Sequence, residues 1–329
     1  MEPPNVNSPR RRSWLRMAVE LTVLVVVIAF VWRSVADAMQ QLRDYRFQLH
    51  SAWLVFSGAL YLLGMLPMGI FWYYVLHALG QRPHLAETLR AFYIGHLGKY
   101  VPGKALVVIL RTGLIQSQRV SAGVAAASVF LETLTMMAVG AFLAAGILAL
   151  HPHPELAARH GYLVPLATAL MLLAGLPTLP PVFRRLALRL RVGRNDPEIA
   201  RKLSGVTWRL TAVGWIGAAA GWVLIGLSLW ATLRGMGIED VQPIGHLHYF
   251  MAATALSVVA GFASLLPGGA IVRELVLTAI LGIYFTQVIH ADPQQANPLV
   301  TAVILRLVWL AAELVLAGIL YVGLRNRAK

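Results

Sequence analysis

HLGKYVPGKALVVILR, residues 96–111, sets two lysines, an arginine and a Pro-Gly pair inside a chain that is 58% hydrophobic. A helix cannot run through Pro102-Gly103 with its hydrogen bonds intact, because proline lacks the amide proton and crowds the preceding turn. The apolar region 85–117 around this stretch therefore reads as two helices or half-helices meeting at a turn. A second apolar region, 245–290, is broken in the same way at Pro267-Gly268-Gly269. Such a pair either dips into a bilayer and returns or crosses it twice, and both choices leave its ends on one side.

Outward from these two regions, uninterrupted apolar spans fall at about 17–36, 52–79, 120–150, 161–182, 207–233 and 298–323. Runs of about 18 or more apolar residues are the mark of membrane-spanning helices. A mean hydropathy of +0.68 with 13% charged residues agrees, since soluble domains carry about a quarter charged residues. The expected fold is an all-α polytopic membrane protein with about six full spans plus two Pro-Gly-broken helix pairs, re-entrant or double-crossing. One integral membrane domain, 17–324, is expected between a basic tail, 1–16, and a short basic end, 325–329. Arg11-Arg12-Ser13-Trp14-Leu15-Arg16 has the look of a twin-arginine export signal. With further spans following, the plainer reading is a first helix held by a basic tail.

The formal charge of +14 belongs mostly to connections between spans. Arg10, Arg11, Arg12 and Arg16 precede the first span, and Arg82, Arg90, Lys99, Lys104, Arg111 and Arg119 surround the first break. Arg184, Arg185, Arg189, Arg191, Arg194, Arg201, Lys202 and Arg209 lie in the connection 183–209, and Arg325, Arg327 and Lys329 close the chain. Placing all four groups in the cytoplasm puts most of the 28 Lys and Arg inside, as the positive-inside rule requires. The expectation is a multi-pass protein of the inner (cytoplasmic) membrane with both termini cytoplasmic. Nucleic acid is not an expected partner, because no patch interleaves aromatic and basic residues. The absence of cysteine excludes disulfides, thiolate metal sites and cysteine nucleophiles.

The same parity makes the span before the first break run inward and the span before the second run outward. Trp53 lies 49 residues before Pro102 and Trp215 lies 52 before Pro267. Halves of about 52–117 and 207–290 thus read as an inverted repeat, an arrangement that brings broken helices of transporters together near the midplane.

A helix restarting after Pro102-Gly103 near Lys104, and another after Pro267-Gly268-Gly269, would each present unpaired amides and a partial positive charge, which attract anions. Lys99, Lys104 and Arg111 add full charges to the first. A phosphate or phosphodiester headgroup suits such a pocket; the plainer alternative is that these side chains only snorkel to the interface. Glu132 lies about 12 residues into its span, roughly 18 Å from the start at 1.5 Å per residue. Arg306 and Glu313 stand seven apart on the last span, too far to pair directly, and Arg273-Glu274 follows the second break. The expected network pairs Glu132 and Glu313 with Arg273 and Arg306 across helices, either as structure or as a switchable lining of a transport path.

Other polar groups carry less. His151-Pro152-His153 and His246-Leu247-His248 read as loop or interfacial histidines, since no acidic cluster accompanies them. No D-D-x-x-D, G-x-S-x-G or H-E-x-x-H motif occurs. The expectation is a protein that is not an enzyme and takes no metal or cofactor.

Gly98-Lys99-Tyr100-Val101-Pro102-Gly103-Lys104 with Arg111, then Glu132, then Leu266-Pro267-Gly268-Gly269 with Val272-Arg273-Glu274, resembles one family over nearly the whole chain. It is similar to the lysylphosphatidylglycerol synthase transmembrane region, also called the flippase-like domain family. The resemblance implies a lipid translocator that moves an anionic phospholipid or other lipid-linked substrate between leaflets. It also implies substrate contacts at Lys99, Tyr100, Pro102, Gly103, Lys104, Arg111, Pro267, Gly268, Gly269, Arg273 and Glu274. The sequence ends at Lys329, soon after the last span, so a stand-alone member without the aminoacyl transferase domain is expected. The alternative is a non-transporting membrane scaffold that binds anionic lipid or a lipid-synthesising partner enzyme.

Overall fold

The computed structural model describes residues 49–101, 105–116, 120–152, 154–192, 199–269, 271–290 and 296–327. The expected first span 17–36, the tail 1–16, and Pro102, Gly103 and Lys104 lie outside the described residues. All regular structure among the described residues is helical, in chain order α1 (Ser51–Ala78), α2 (Leu85–His96), α3 (Ala105–Ile115), α4 (Ala122–Leu150), α5 (Pro154–His160), α6 (Leu163–Gly175), α7 (Pro180–Arg189), α8 (Ile199–Leu203), α9 (Trp208–Gly235), α10 (Leu247–Ala263), α11 (Val272–Ile283) and α12 (Pro298–Arg327).

Four of these, α1, α4, α9 and α12 over Pro298–Val322, are long and apolar enough to cross a membrane. The 28 residues of α1 contain no Asp, Glu, Lys or Arg and rise about 42 Å at 1.5 Å per residue, more than the ~30 Å of a hydrocarbon core. A fifth crossing exists if α6 and α7 count as one bent span. The expected straight span 161–182 instead turns by 69° at Leu179. Pro180 and Pro181 cause this: they end the incoming helix and suit the first turn of the next. Basic α7 then packs back, with Arg184 Nη2 donating to the carbonyls of Ser204 (2.9 Å) and Val206 (2.7 Å).

The centre is the pair α1 and α9, flanked by α4, α10 and α12. Small residues let α1 and α9 approach backbone to backbone, since a Cβ on Gly221 would stand 2.5 Å from the Gly64 carbonyl oxygen. A buried hydroxyl cluster adds directional bonds, with Ser57 Oγ within 2.9 Å of Ser228 Oγ and 2.8 Å of Thr232 Oγ1. Trp309 Nε1 of α12 donates to Ser228 Oγ at 2.8 Å, joining a third helix to the pair.

Both apolar regions with a central break fold as two helices. After α2, a 3₁₀ turn over Leu97–Tyr100 leads to Val101, which is extended (φ −93°, ψ 143°), as a residue before proline favours. The second break is tighter. Leu265, Gly268, Gly269 and Ile271 all have positive φ, from 57° to 70°. A β-branched residue such as Ile271 rarely accepts that conformation, and each such residue stores roughly 1–3 kcal/mol. The two breaks meet in space: a Cβ on Gly268 would lie 3.1 Å from the Tyr100 ring.

Candidate functional site

Where the two breaks meet, a cavity of about 320 Å³ opens between α1, α4, α9, α10 and α12. Much of its wall is apolar, including Met65, Val108, Phe130, Met137, Ile225 and Phe262. Lys99, Arg111, Arg273, His96 and Glu132 also line it. Three cations face one carboxylate there, among groups buried by long apolar helices.

Lys99 reaches the cavity from the 3₁₀ turn. Its Nζ contacts Glu313 Oε1 of α12 at 2.5 Å, the Tyr61 hydroxyl at 3.2 Å and His96 Nε2 at 3.0 Å. The Glu313 carboxylate also accepts from the Tyr61 hydroxyl and, at 3.0 Å, from the Tyr100 hydroxyl. Arg111 of α3 contacts Glu132 Oε2 of α4 at 2.5 Å, and both side chains are 2% exposed. Its guanidinium lies 4.1 Å from the centre of the Phe92 ring, and Thr133 donates to the same carboxylate oxygen at 3.1 Å. This meeting depends on two glycines of the first region: a Cβ on Gly95 would stand 2.5 Å from Arg111 Cγ, and one on Gly98 would stand 2.6 Å from the Val107 amide nitrogen.

On the second break, Arg306 Nη1 of α12 contacts Glu274 Oε1 of α11 at 2.8 Å. Arg273, one residue earlier, belongs to none of these pairs. Its guanidinium lies 4.4 Å from the centre of the Trp309 ring, which in turn stacks on Tyr61 at 4.4 Å. The residue is 7% exposed, and its Nη2 is buried without a hydrogen-bond partner. An orphaned guanidinium donor costs free energy that an anion in the cavity would offset.

Residues 17–316 match the family described as the lysylphosphatidylglycerol synthase TM region. The chain belongs to that family. No curated protein matches it. The lysylphosphatidylglycerol synthase TM family is a membrane domain of lipid-related proteins, and the helices able to span a bilayer agree with a multi-pass membrane protein.

In this family member, the expected site residues separate into groups. Lys99, Arg111, Gly268, Gly269, Arg273 and Glu132 line the cavity. Tyr100, Glu274, Arg306 and Glu313 stand behind its wall: Glu313 holds Lys99 and accepts from Tyr100, while Arg306 and Glu274 hold each other. Pro267 begins the 3₁₀ turn of the second break.

The expected pairing of Glu132 and Glu313 with Arg273 and Arg306 is corrected: their partners are Arg111 and Lys99. The cause is local packing. α3 packs against α4, which sets Arg111 over Glu132, while α12 packs against α2 and brings Glu313 to Lys99. An expectation that gives Lys99 and Arg111 to a ligand or to the interface leaves the two acids only the more distant arginines.

Three further site residues carried no separate signal in the sequence. Tyr61 and Trp309 are aromatic residues within apolar spans, like many others. His96 sits three residues before Lys99, the one spacing that placed it on the same turn. Its Nδ1 lies 3.4 Å from Arg111 Nη2, so the imidazole stands between both ion pairs. Away from this site, the rings of His151 and His248 stack at 4.6 Å, and His246 Nδ1 lies 2.8 Å from the Tyr284 hydroxyl. Partial burial holds His246 below the ordinary imidazole range.

Proposed function

We propose that the protein is a lipid translocator that moves an anionic phospholipid, or another lipid-linked anion, between leaflets of the inner membrane. The observation that carries this reading is Arg273: a buried guanidinium with an unpartnered Nη2, on the wall of a largely apolar cavity. The cation takes the phosphate, and the apolar wall tolerates the first carbons of the acyl chains. A cavity of about 320 Å³ has room for a headgroup, leaving the chains among the surrounding helices. The protein catalyses no bond-making step and uses no cofactor.

The proposed topology has about six full spans plus the two broken helix pairs, both termini in the cytoplasm and two halves in opposite orientation. The distribution of Lys and Arg supports it. So does the contact of the two breaks, Tyr100 against Gly268, which is where an inverted repeat would bring its broken helices together.

The test is reconstitution in liposomes with labelled phosphatidylglycerol, phosphatidylethanolamine and phosphatidylcholine. Faster movement of the anionic probe than of the other two is expected. Tight binding of that probe with no movement would replace translocation by the scaffold reading. A periplasm-active reporter fused after Lys329 should stay silent, and a strong signal there would overturn the topology.

A further inference from the structure

We infer that Glu313 is an internal counter-anion for Lys99, occupying the contact that a substrate phosphate takes on entry, and that this one ion pair opens during binding. The inference rests on the anionic-headgroup reading above and adds which contact is exchanged.

The three buried ion pairs among the described residues are built differently. Lys99 lines the cavity and its side chain is 20% exposed, while Glu313 behind it is 3% exposed. An anion arriving in the cavity therefore meets the ammonium before the carboxylate. Glu313 is also the carboxylate best able to lose its cation. With Lys99 gone it keeps two hydroxyl donors, Tyr61 on one oxygen and Tyr100 on the other. Neither oxygen is left bare, so the penalty for a buried unpaired carboxylate is reduced.

The Arg111–Glu132 pair lacks these provisions. Both members are 2% exposed, and Arg111 is held against the Phe92 ring. If Arg111 left, Glu132 would keep, among the described residues, only the Thr133 hydroxyl. Arg306 and Glu274 do not line the cavity at all.

Binding then uses two cations of different kinds. Arg273 waits with an open donor and stays in place against Trp309. Lys99 is flexible, four methylenes long, and is shared between Glu313 and the ligand. The competition keeps the resting site satisfied and weakens the bound state, so a captured headgroup can leave again. Removing the Glu313 charge should bind the anion tighter and release it more slowly.

The purified full chain in detergent is titrated with dihexanoyl phosphatidylglycerol and, separately, with inorganic phosphate, and affinities are read by calorimetry. Glu313→Gln should bind the lipid probe roughly tenfold tighter than wild type, the worth of about one charge-assisted contact. Lys99→Gln, alone or combined with Glu313→Gln, should fall below wild type, because the gain needs the lysine. Tyr100→Phe should move affinity the other way, down about threefold, since Glu313 loses a donor that supports it once Lys99 has left. This variant keeps the exchange testable should Glu313→Gln fail to fold.

Wild type, Glu313→Gln and Tyr100→Phe all binding the lipid equally would overturn the exchange and leave the headgroup reading standing. Tightening for inorganic phosphate but not for the lipid would support the exchange and overturn a lipid as its ligand. No binding of either probe by any variant would overturn both.

Discussion

The two broken helix pairs bring the same kind of side chain to opposite electrostatic ends. In the first, Lys99 and Arg111 are each matched by a carboxylate from another helix, Glu313 and Glu132. In the second, Arg273 and Glu274 are neighbours in sequence yet do not pair. Adjacent residues on a helix point in different directions, so Glu274 turns to Arg306 while Arg273 turns to Trp309 and the cavity. The first break thus pairs Lys99 and Arg111 with carboxylates, and the second leaves Arg273 outside every ion pair among the described residues. Charge content alone does not make a ligand site; what matters is which cation the fold leaves without a partner.

The comparison is broken most directly at Glu132. Glu132→Gln strips from Arg111 its only carboxylate among the described residues and leaves a guanidinium buried at 2% exposure. Losing one partner of a buried pair costs about 3–5 kcal/mol in soluble proteins, and this is the largest loss expected here. Thermal unfolding in detergent should show it. A second change, Arg111→Met, should restore more than half of the loss by removing the stranded charge. Recovery through Arg273→Gln or Arg306→Gln instead would mean that Glu132 pairs elsewhere.

Backbone approach separates the two breaks next. A Cβ on Gly98 would stand 2.6 Å from a backbone nitrogen, which cannot move without shifting α3. Gly98→Ala should therefore cost about 1–3 kcal/mol. At Gly261, facing the second break, the nearest atoms would be Arg273 Cβ at 3.1 Å and the Gly269 backbone Cα at 3.2 Å, a looser approach, so Gly261→Ala should cost less. Equal losses in the same unfolding experiment would show that both breaks are packed alike.

These particulars mark what the chain discloses unaided. Pro102-Gly103 and Pro267-Gly268-Gly269 announce their breaks because proline removes a helix hydrogen bond and glycine beside it adds backbone freedom, whereas Pro67 alone lies inside α1 without ending it. Apolar run lengths announce the spans. The burial of Glu132 was legible for the same reason. Its partner was not, because that depends on how closely α2 and α3 cross, which glycines at 95 and 98 decide through contacts with Arg111 and Val107. Tyr61 and Trp309 were illegible because an aromatic residue in an apolar span looks the same whether it faces lipid or a carboxylate. The 69° bend at Leu179 could be read from Pro180-Pro181, yet a run of apolar residues masked it as one straight span.

Arg273 gives a prediction whose two readouts point in different directions. Arg273→Gln removes a buried cation that has no ion-pair partner, so stability should hold or rise, against the large loss at Glu132. Affinity for a short-chain anionic lipid should fall more than about tenfold, as one charge-assisted contact is lost. A clear drop in melting temperature would mean that Arg273 is a structural cation, bound to the Trp309 ring, and would close the difference between the two breaks.

The smallest effect is expected at a fourth ion pair, and it tests whether burial is what makes the others matter. Arg159 and Glu155 stand one turn apart on α5, 3.6 Å from each other, with side chains 69% and 40% exposed. Their chemistry matches Arg111 and Glu132, but water solvates both partners and salt screens them. Exposed pairs of this spacing are worth about 0.3–0.5 kcal/mol, so Arg159→Gln should leave the melting temperature nearly unchanged. A loss at Arg159 comparable with that at Glu132 would show that unfolding in detergent responds to total charge, and the contrast between buried and exposed pairs would then carry no weight. A flat response at Arg159 beside a steep one at Glu132 ties the cost to burial, the same condition that makes the unpartnered Nη2 of Arg273 costly.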